Sequence, residues 1–128
     1  MKSLYILPII FLFFVGCNQK GKSDLAAIEV IGKEYNFGEI KYDDTLTHTF
    51  KIKNVSNNYY LIDKVGVSCG CTSAIFTENP VIKNEYAQVE VGYIASKDDI
   101  GLVEKSIVVS DNSEKGFQIL YLKGTVVK

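Results

Sequence analysis

The sequence has no arginine and no tryptophan, and among its 128 residues there are one histidine, one methionine and two prolines. Every one of the 14 cationic side chains is a lysine, set against 15 acidic residues for a net charge of −1. Nucleic-acid binders carry basic stripes and bidentate guanidinium contacts, so this balance excludes that class of partner. A lone His48 leaves serine and cysteine nucleophiles without a base to activate them. The ten glycines are scattered and form no phosphate-cradling loop. Asp43-Asp44 and Asp98-Asp99 lack the ligand spacing of a calcium loop and read as solvated turns. No stretch of the chain beyond residue 28 has helical period, and there is no internal repeat or low-complexity tract. No catalytic residue and no cofactor is therefore expected.

What is present begins with an apolar run over residues 4–15, preceded by Lys2 and broken only by Pro8. This is signal-peptide length and too short to span a bilayer. The run ends in Phe14-Val15-Gly16-Cys17, which resembles a bacterial lipobox. The resemblance implies that Cys17 becomes a diacylglycerol thioether and the new N-terminus. Residues 18–24 are polar and aperiodic, as suits a tether. The expected organisation is a leader over 1–17, a flexible tether over 18–27 and one domain over 28–128. The expected place is the cell envelope, lipid-anchored in the bilayer through Cys17, on the periplasmic face of the outer membrane. Asn18 gives no retention signal of the Asp type after the anchor cysteine.

Three cysteines in an exported chain leave one over, and lipidation accounts for it. The remaining pair, Cys69 and Cys71, is separated only by Gly70. On a flat strand their Cα atoms would stand about 6.6 Å apart, at the upper limit for a disulfide, and Gly70 permits a bend. Three readings stay open: a structural thiol pair or local disulfide, a redox couple, and a Cu(I) site. Redox chemistry wants a helix N-terminus or a nearby cation to lower a thiol pKa. Zinc would want about four ligands, whereas Cu(I) is content with fewer. His48 falls on the core side of its strand, where a packed neutral ring is expected.

From residue 28 onward the apolar pattern has period two. Leu46, His48, Phe50 and Ile52 face one way, while Thr45, Thr47, Thr49, Lys51 and Lys53 face the other. Further strands are expected over 59–67 and 72–76, and another buries Val89, Val91 and Tyr93 after a loop over 77–85. Past a polar break at Ser96 to Asp99, a strand from Gly101 aligns Val103, Lys105, Ile107 and Val109. After a hairpin loop, Phe117, Ile119 and Tyr121 alternate in the last strand. Seven to eight antiparallel strands with turns between them predict an all-β protein, an immunoglobulin-like β-sandwich. The missing tryptophan and distant cysteine pair exclude an antibody-type core.

Several of these residues carry a family likeness. Tyr35-x-Phe37-Gly38-x-Ile40, Phe50-Lys51-Ile52-Lys53-Asn54, and Leu61-Ile62-x-x-Val65-x-x-Ser68-Cys69-Gly70-Cys71-Thr72 resemble the bacterial family known as domain of unknown function 1573. Pro80, Val89-x-Val91-x-Tyr93 and Leu122-Lys123-Gly124-Thr125-Val126 fit the same layout. The resemblance implies an immunoglobulin-type sandwich related to Hydin-like and major-sperm-protein-like domains, and often a lipoprotein. Lys83-Asn84-Glu85 departs from the Pro-Gly turn common in the family. The family has no established activity, so the resemblance leaves function open. The lack of a catalytic constellation, together with a fold that commonly recognises partners through edge strands and loops, makes the expectation a non-enzymatic cell-envelope module that binds another envelope protein or a polymer. The alternative is a Cu(I)-binding or thiol-redox protein using Cys69 and Cys71.

Overall fold

A computed structural model describes residues 24–128; the leader, Cys17 and most of the expected tether lie outside the described residues. The chain forms eight strands: β1 (Ile28–Ile31), β2 (Glu34–Lys41), β3 (Thr45–Asn54), β4 (Ile62–Val67), β5 (Thr72–Phe76), β6 (Tyr86–Ile94), β7 (Gly101–Asp111) and β8 (Phe117–Val127). A single 3₁₀ turn, Lys97–Asp99, precedes β7. The strands make two four-stranded sheets, β1-β3-β6-β5 and β2-β8-β7-β4. This is the immunoglobulin-like sandwich that the alternation predicts.

The pairing is antiparallel with one exception: β2 runs parallel to β8. The departure has a local cause. Only Gly32 and Lys33 separate β1 from β2, so the chain continues in the same direction while stepping from one sheet to the other. Gly32 takes a left-handed φ of 70° at this step, and Lys33 accepts a hydrogen bond from the Tyr121 N–H at 2.9 Å.

The core forms where the inner faces of the sheets meet. β3 contributes Phe50 and Ile52, and β6 contributes Ala87, Val89, Val91 and Tyr93, all fully buried. Ile107 and Val109 of β7 and Leu120 and Leu122 of β8 oppose them. Each large side chain removed from water contributes roughly 1.5–3 kcal/mol, which makes this layer the dominant stabilising feature.

The alternation of Phe117, Ile119 and Tyr121 in the last strand leaves open which of its faces is buried. In β8 the inward residues are Gln118, Leu120, Leu122 and Val126, while Phe117, Ile119 and Tyr121 lie on the outer face. Both faces of β8 are apolar, so alternation alone does not choose between them. Pairing does, because Leu120 lies opposite Ile107 and Gln118 opposite Val109, both already committed to the core. The buried Gln118 amide is satisfied by the Ser113 hydroxyl at 3.0 Å.

The two ends of the sandwich differ. At one end the chain enters: the Ala26 N–H donates to the Asn112 carbonyl at 3.0 Å, and the Leu25 carbonyl accepts from Asn58 Nδ2 at 2.9 Å. Ala26 falls in the stretch assigned to the tether, yet it is only 2% exposed. At the same end a fully buried Asn54 donates to the Asn58 and Val81 carbonyls at 2.7 and 2.8 Å, and clips the loop after β3. The Lys83-Asn84-Glu85 departure leaves a tight turn intact there. Asn84 supplies a φ of 68°, which asparagine tolerates, and the Glu85 N–H reaches the Ile82 carbonyl at 3.1 Å. The other end holds the Asp43-Asp44 turn, the 3₁₀ turn and the crossover from β4 to β5.

Candidate functional site

The β4–β5 crossover carries the chain from one sheet to the other. Ser68 is tied to β7, its N–H donating to the Ser106 carbonyl at 3.1 Å and its hydroxyl accepting from the Ser106 N–H at 3.2 Å. The Thr72 N–H then folds back to the Cys69 carbonyl at 3.2 Å, and the Cys71 carbonyl accepts from the Ile94 N–H at 2.9 Å. Between these anchors Cys69 and Cys71 form a disulfide with Cα atoms 5.4 Å apart. The bend closes the distance that a flat strand would leave too long. The hydroxyl of Thr72, itself 4% exposed, stands 3.5 Å from the Cys69 sulfur and 3.9 Å from that of Cys71.

Sulfurs bonded to one another offer no thiolate, so the Cu(I) and thiol-redox alternative finds no support in this geometry. Among the described residues no group of three or more His, Cys, Asp or Glu side chains is placed to share a metal ion. His48 is held by aromatic rings instead. It stacks on Tyr35 at 3.7 Å between centroids, with the rings nearly parallel, and meets Phe50 edge-on at 4.7 Å. Burial holds its pKa below the ordinary imidazole value, so the ring is neutral at neutral pH.

Beside the disulfide, a shallow groove of about 270 Å³ crosses the outer face of the β3-β6-β5 sheet. Thr45 and Thr47 of β3 form one wall, and Ser73 and Ile75 of β5 the other. Gly92 lies between Thr47 and Ser73 in the strand register and lowers the floor. A side chain there would bring its Cβ to within 3.0 Å of the Ser73 hydroxyl. The strand β5 is the last of its sheet. Sequence reasoning did not find this open edge, since pairing partners are non-local; the charge-free stretch Thr-Ser-Ala-Ile-Phe was the available signal.

The acidic pairs have different fates. Asp43 and Asp44 form a turn, with Asp43 at a φ of 71° and the Asp44 N–H on the Lys41 carbonyl at 3.2 Å. Asp99, expected to be solvated, has a side chain only 15% exposed. Its carboxylate accepts from the Tyr93 hydroxyl at 2.8 Å, Lys105 Nζ at 3.0 Å, and the Ser96 N–H and hydroxyl at 3.3 Å. Burial works to raise its pKa, but the bonds from Tyr93, Lys105 and Ser96 outweigh it and hold the carboxyl below its ordinary value. Burial and the same carboxylate push the Tyr93 phenol up. This cluster braces the link between the sheets. Of the paired tyrosines, Tyr60 is fully buried and donates to Asp111 at 2.8 Å, whereas Tyr59 is exposed.

Solved structures share this architecture at low sequence identity. The chain is similar to a protein of unknown function from Porphyromonas gingivalis W83, with a TM-score of 0.69 and 10% identity over 83% of this chain. The aligned part spans half of that protein's length. It is also similar to an ASH/PapD-like domain of human CEP192, with a TM-score of 0.61 and 9% identity, covering 100% of this chain and 97% of that one. A third likeness is to the secreted serine protease VesC of Vibrio cholerae, with a TM-score of 0.60 and 12% identity over 81% of this chain and 24% of the protease. At these identities the likeness concerns the fold. No curated protein matches the chain. The family model described as protein of unknown function (DUF1573) matches residues 28–126, and the chain belongs to that family.

Proposed function

We propose that the protein is a non-enzymatic binding module of the bacterial cell envelope, anchored to a bilayer by acylated Cys17 and recognising an envelope protein or polymer. The observation that carries this reading is the polarity of the sandwich. The chain enters at the end built from Leu25, Ala26 and Asn58, while the disulfide crossover and the outer-face groove gather toward the opposite end. A lipid on Cys17 would hold the first end near the membrane and leave the second facing outward. Immunoglobulin-like sandwiches recognise partners through such edges and loops. In this reading the site is the outer membrane's periplasmic face, and the partner is not a nucleic acid, given a chain without arginine.

The test is fractionation without detergent after metabolic labelling with a fatty acid. Wild-type protein is expected in the membrane pellet and labelled. A Cys17→Ser variant is expected in the soluble fraction, folded, because an acyl anchor is its only strong attachment in this reading. An unlabelled wild-type protein, or a serine variant that still pellets, contradicts the anchoring.

A further inference from the structure

Four strands stand at sheet edges: β1 and β5 in one sheet, β2 and β4 in the other. An edge presents unpaired N–H and C=O groups, and proteins blunt it with charge, proline, bulges or short length. β1 is only four residues long and carries Glu29. β2 carries Glu34, Glu39 and Lys41 and shifts register between Asn36 and Glu39. β4 carries Asp63 and Lys64 and shifts register between Ile62 and Lys64. β5 has no charge, no proline and no register shift.

The hydrogen bonds bracketing β5 fix which of its backbone groups are open. Ile94 donates to Cys71 at 2.9 Å and Thr77 donates to Gln88 at 3.0 Å, one at each end of the β5–β6 ladder. Backbone groups alternate along an antiparallel pair, so Ser73 and Ile75 turn theirs to β6. Ala74 and Phe76 turn theirs to the open side. Side chains alternate as well: Phe76 packs against the core, while Ile75 is 71% exposed on the outer face. Val67 at the end of β4, the edge of the facing sheet, is 37% exposed. Glu90 lies directly opposite Ile75 in the register, and Glu78 follows just beyond β5. Neither has an ion-pair partner among the described residues.

We infer that the open edge of β5 takes up an extended segment of another exported polypeptide as an added strand, and that this segment alternates apolar with basic side chains. Its backbone pairs with Ala74 and Phe76, adding a fifth strand to the sheet. Its inward apolar side chains close the mouth over Phe76 and Val67. Its outward basic side chains pass over Ile75 toward Glu90, one strand spacing farther in. A second copy of β5 fits less well, because it brings no cation to Glu90 or Glu78 and sets two acidic flanks against each other. The inference rests on the binding-module reading and gives that module its surface and partner class.

The test is an NMR titration of the full chain in neutral detergent with an eight-residue alternating Val-Lys peptide. The controls are an alternating Val-Glu peptide and a Val-Lys peptide N-methylated along one edge. Shifts and slowed amide exchange are expected at Ala74 and Phe76. The Val-Glu peptide should bind about tenfold more weakly, and the methylated peptide should not bind. Ala74→Pro removes an outward N–H and should abolish binding. Ile75→Lys, at an exposed position that leaves the core untouched, should weaken it about tenfold by adding a charge to the edge. Shifts centred on another edge, equal binding of Val-Lys and Val-Glu, or no response at millimolar peptide would each overturn the inference. Self-association lost in Ile75→Lys would replace the proposed partner by a second copy. An envelope partner that still crosslinks to Ala74→Pro in cells would leave the binding module standing and remove β5 from it.

Discussion

Asp99 shows how much a single side chain can organise. It gathers Tyr93, Ser96 and Lys105 at the point where β6 hands the chain to β7. Removing the carboxylate strands a phenol and an ammonium in a largely dry site, so Asp99→Ala is expected to cost about 2–3 kcal/mol in urea unfolding. The pH dependence has a definite sign. Because the folded-state carboxyl sits below its ordinary value, its contribution is complete above the ordinary carboxylate pKa and is lost as pH falls through the folded one. Urea midpoints should therefore drop below about pH 4, and Asp99→Asn should flatten that drop. A wild-type midpoint that is constant through this range would contradict the assignment.

At the scale of elements, Gly124 decides how β2 lies against β8. A Cβ on it would run into the Phe37 ring, so only glycine lets that ring reach inward toward Tyr93. Its backbone is not in the left-handed region, and the requirement is purely steric. Gly124→Ala is expected to destabilise by about 1–3 kcal/mol through overpacking, and adding Phe37→Leu should recover part of the loss. A second prediction concerns the crossover. The disulfide closes a loop so short that it removes little chain entropy, and replacing both Cys69 and Cys71 by serine should cost about 1.5 kcal/mol or less. A thermal melt showing loss of folding would contradict this. How much of these elements was legible depends on whether the signal is local. β5 could be read with its observed bounds, 72–76, because the cysteine pair and Asn79-Pro80 bracket it. The inner face of β8 could not, because Ile119 and Leu120 are equally apolar and only pairing with β7 separates them. The parallel β2–β8 pair and the open edge of β5 escaped for the same reason: a strand's neighbours are chosen by the whole chain. Cys69 and Cys71 stood out at once, yet whether their sulfurs join depends on a bend at Gly70 that composition does not specify.

The molecule as a whole is a polarised object. The entry end is fastened by Asn54, Asn58 and the Asp111–Ser113 hairpin, and the opposite end carries the crossover, the Asp99 brace and the approach to the β5 edge. In the proposed reading a lipid on Cys17 would lie beyond the entry end, while Ile75, opposite Glu90 at the middle of β6, stands on the flank of the sandwich and leaves the β5 edge free for a partner. The most direct measurement of this arrangement is in-cell photocrosslinking of the full-length protein. One sample carries the photoreactive residue at Ile75 and the other at Leu25, both exposed positions. The account predicts a discrete polypeptide adduct from Ile75 and adducts dominated by lipid from Leu25. Lipid adducts from Ile75, or the same polypeptide adduct from both positions, would contradict it.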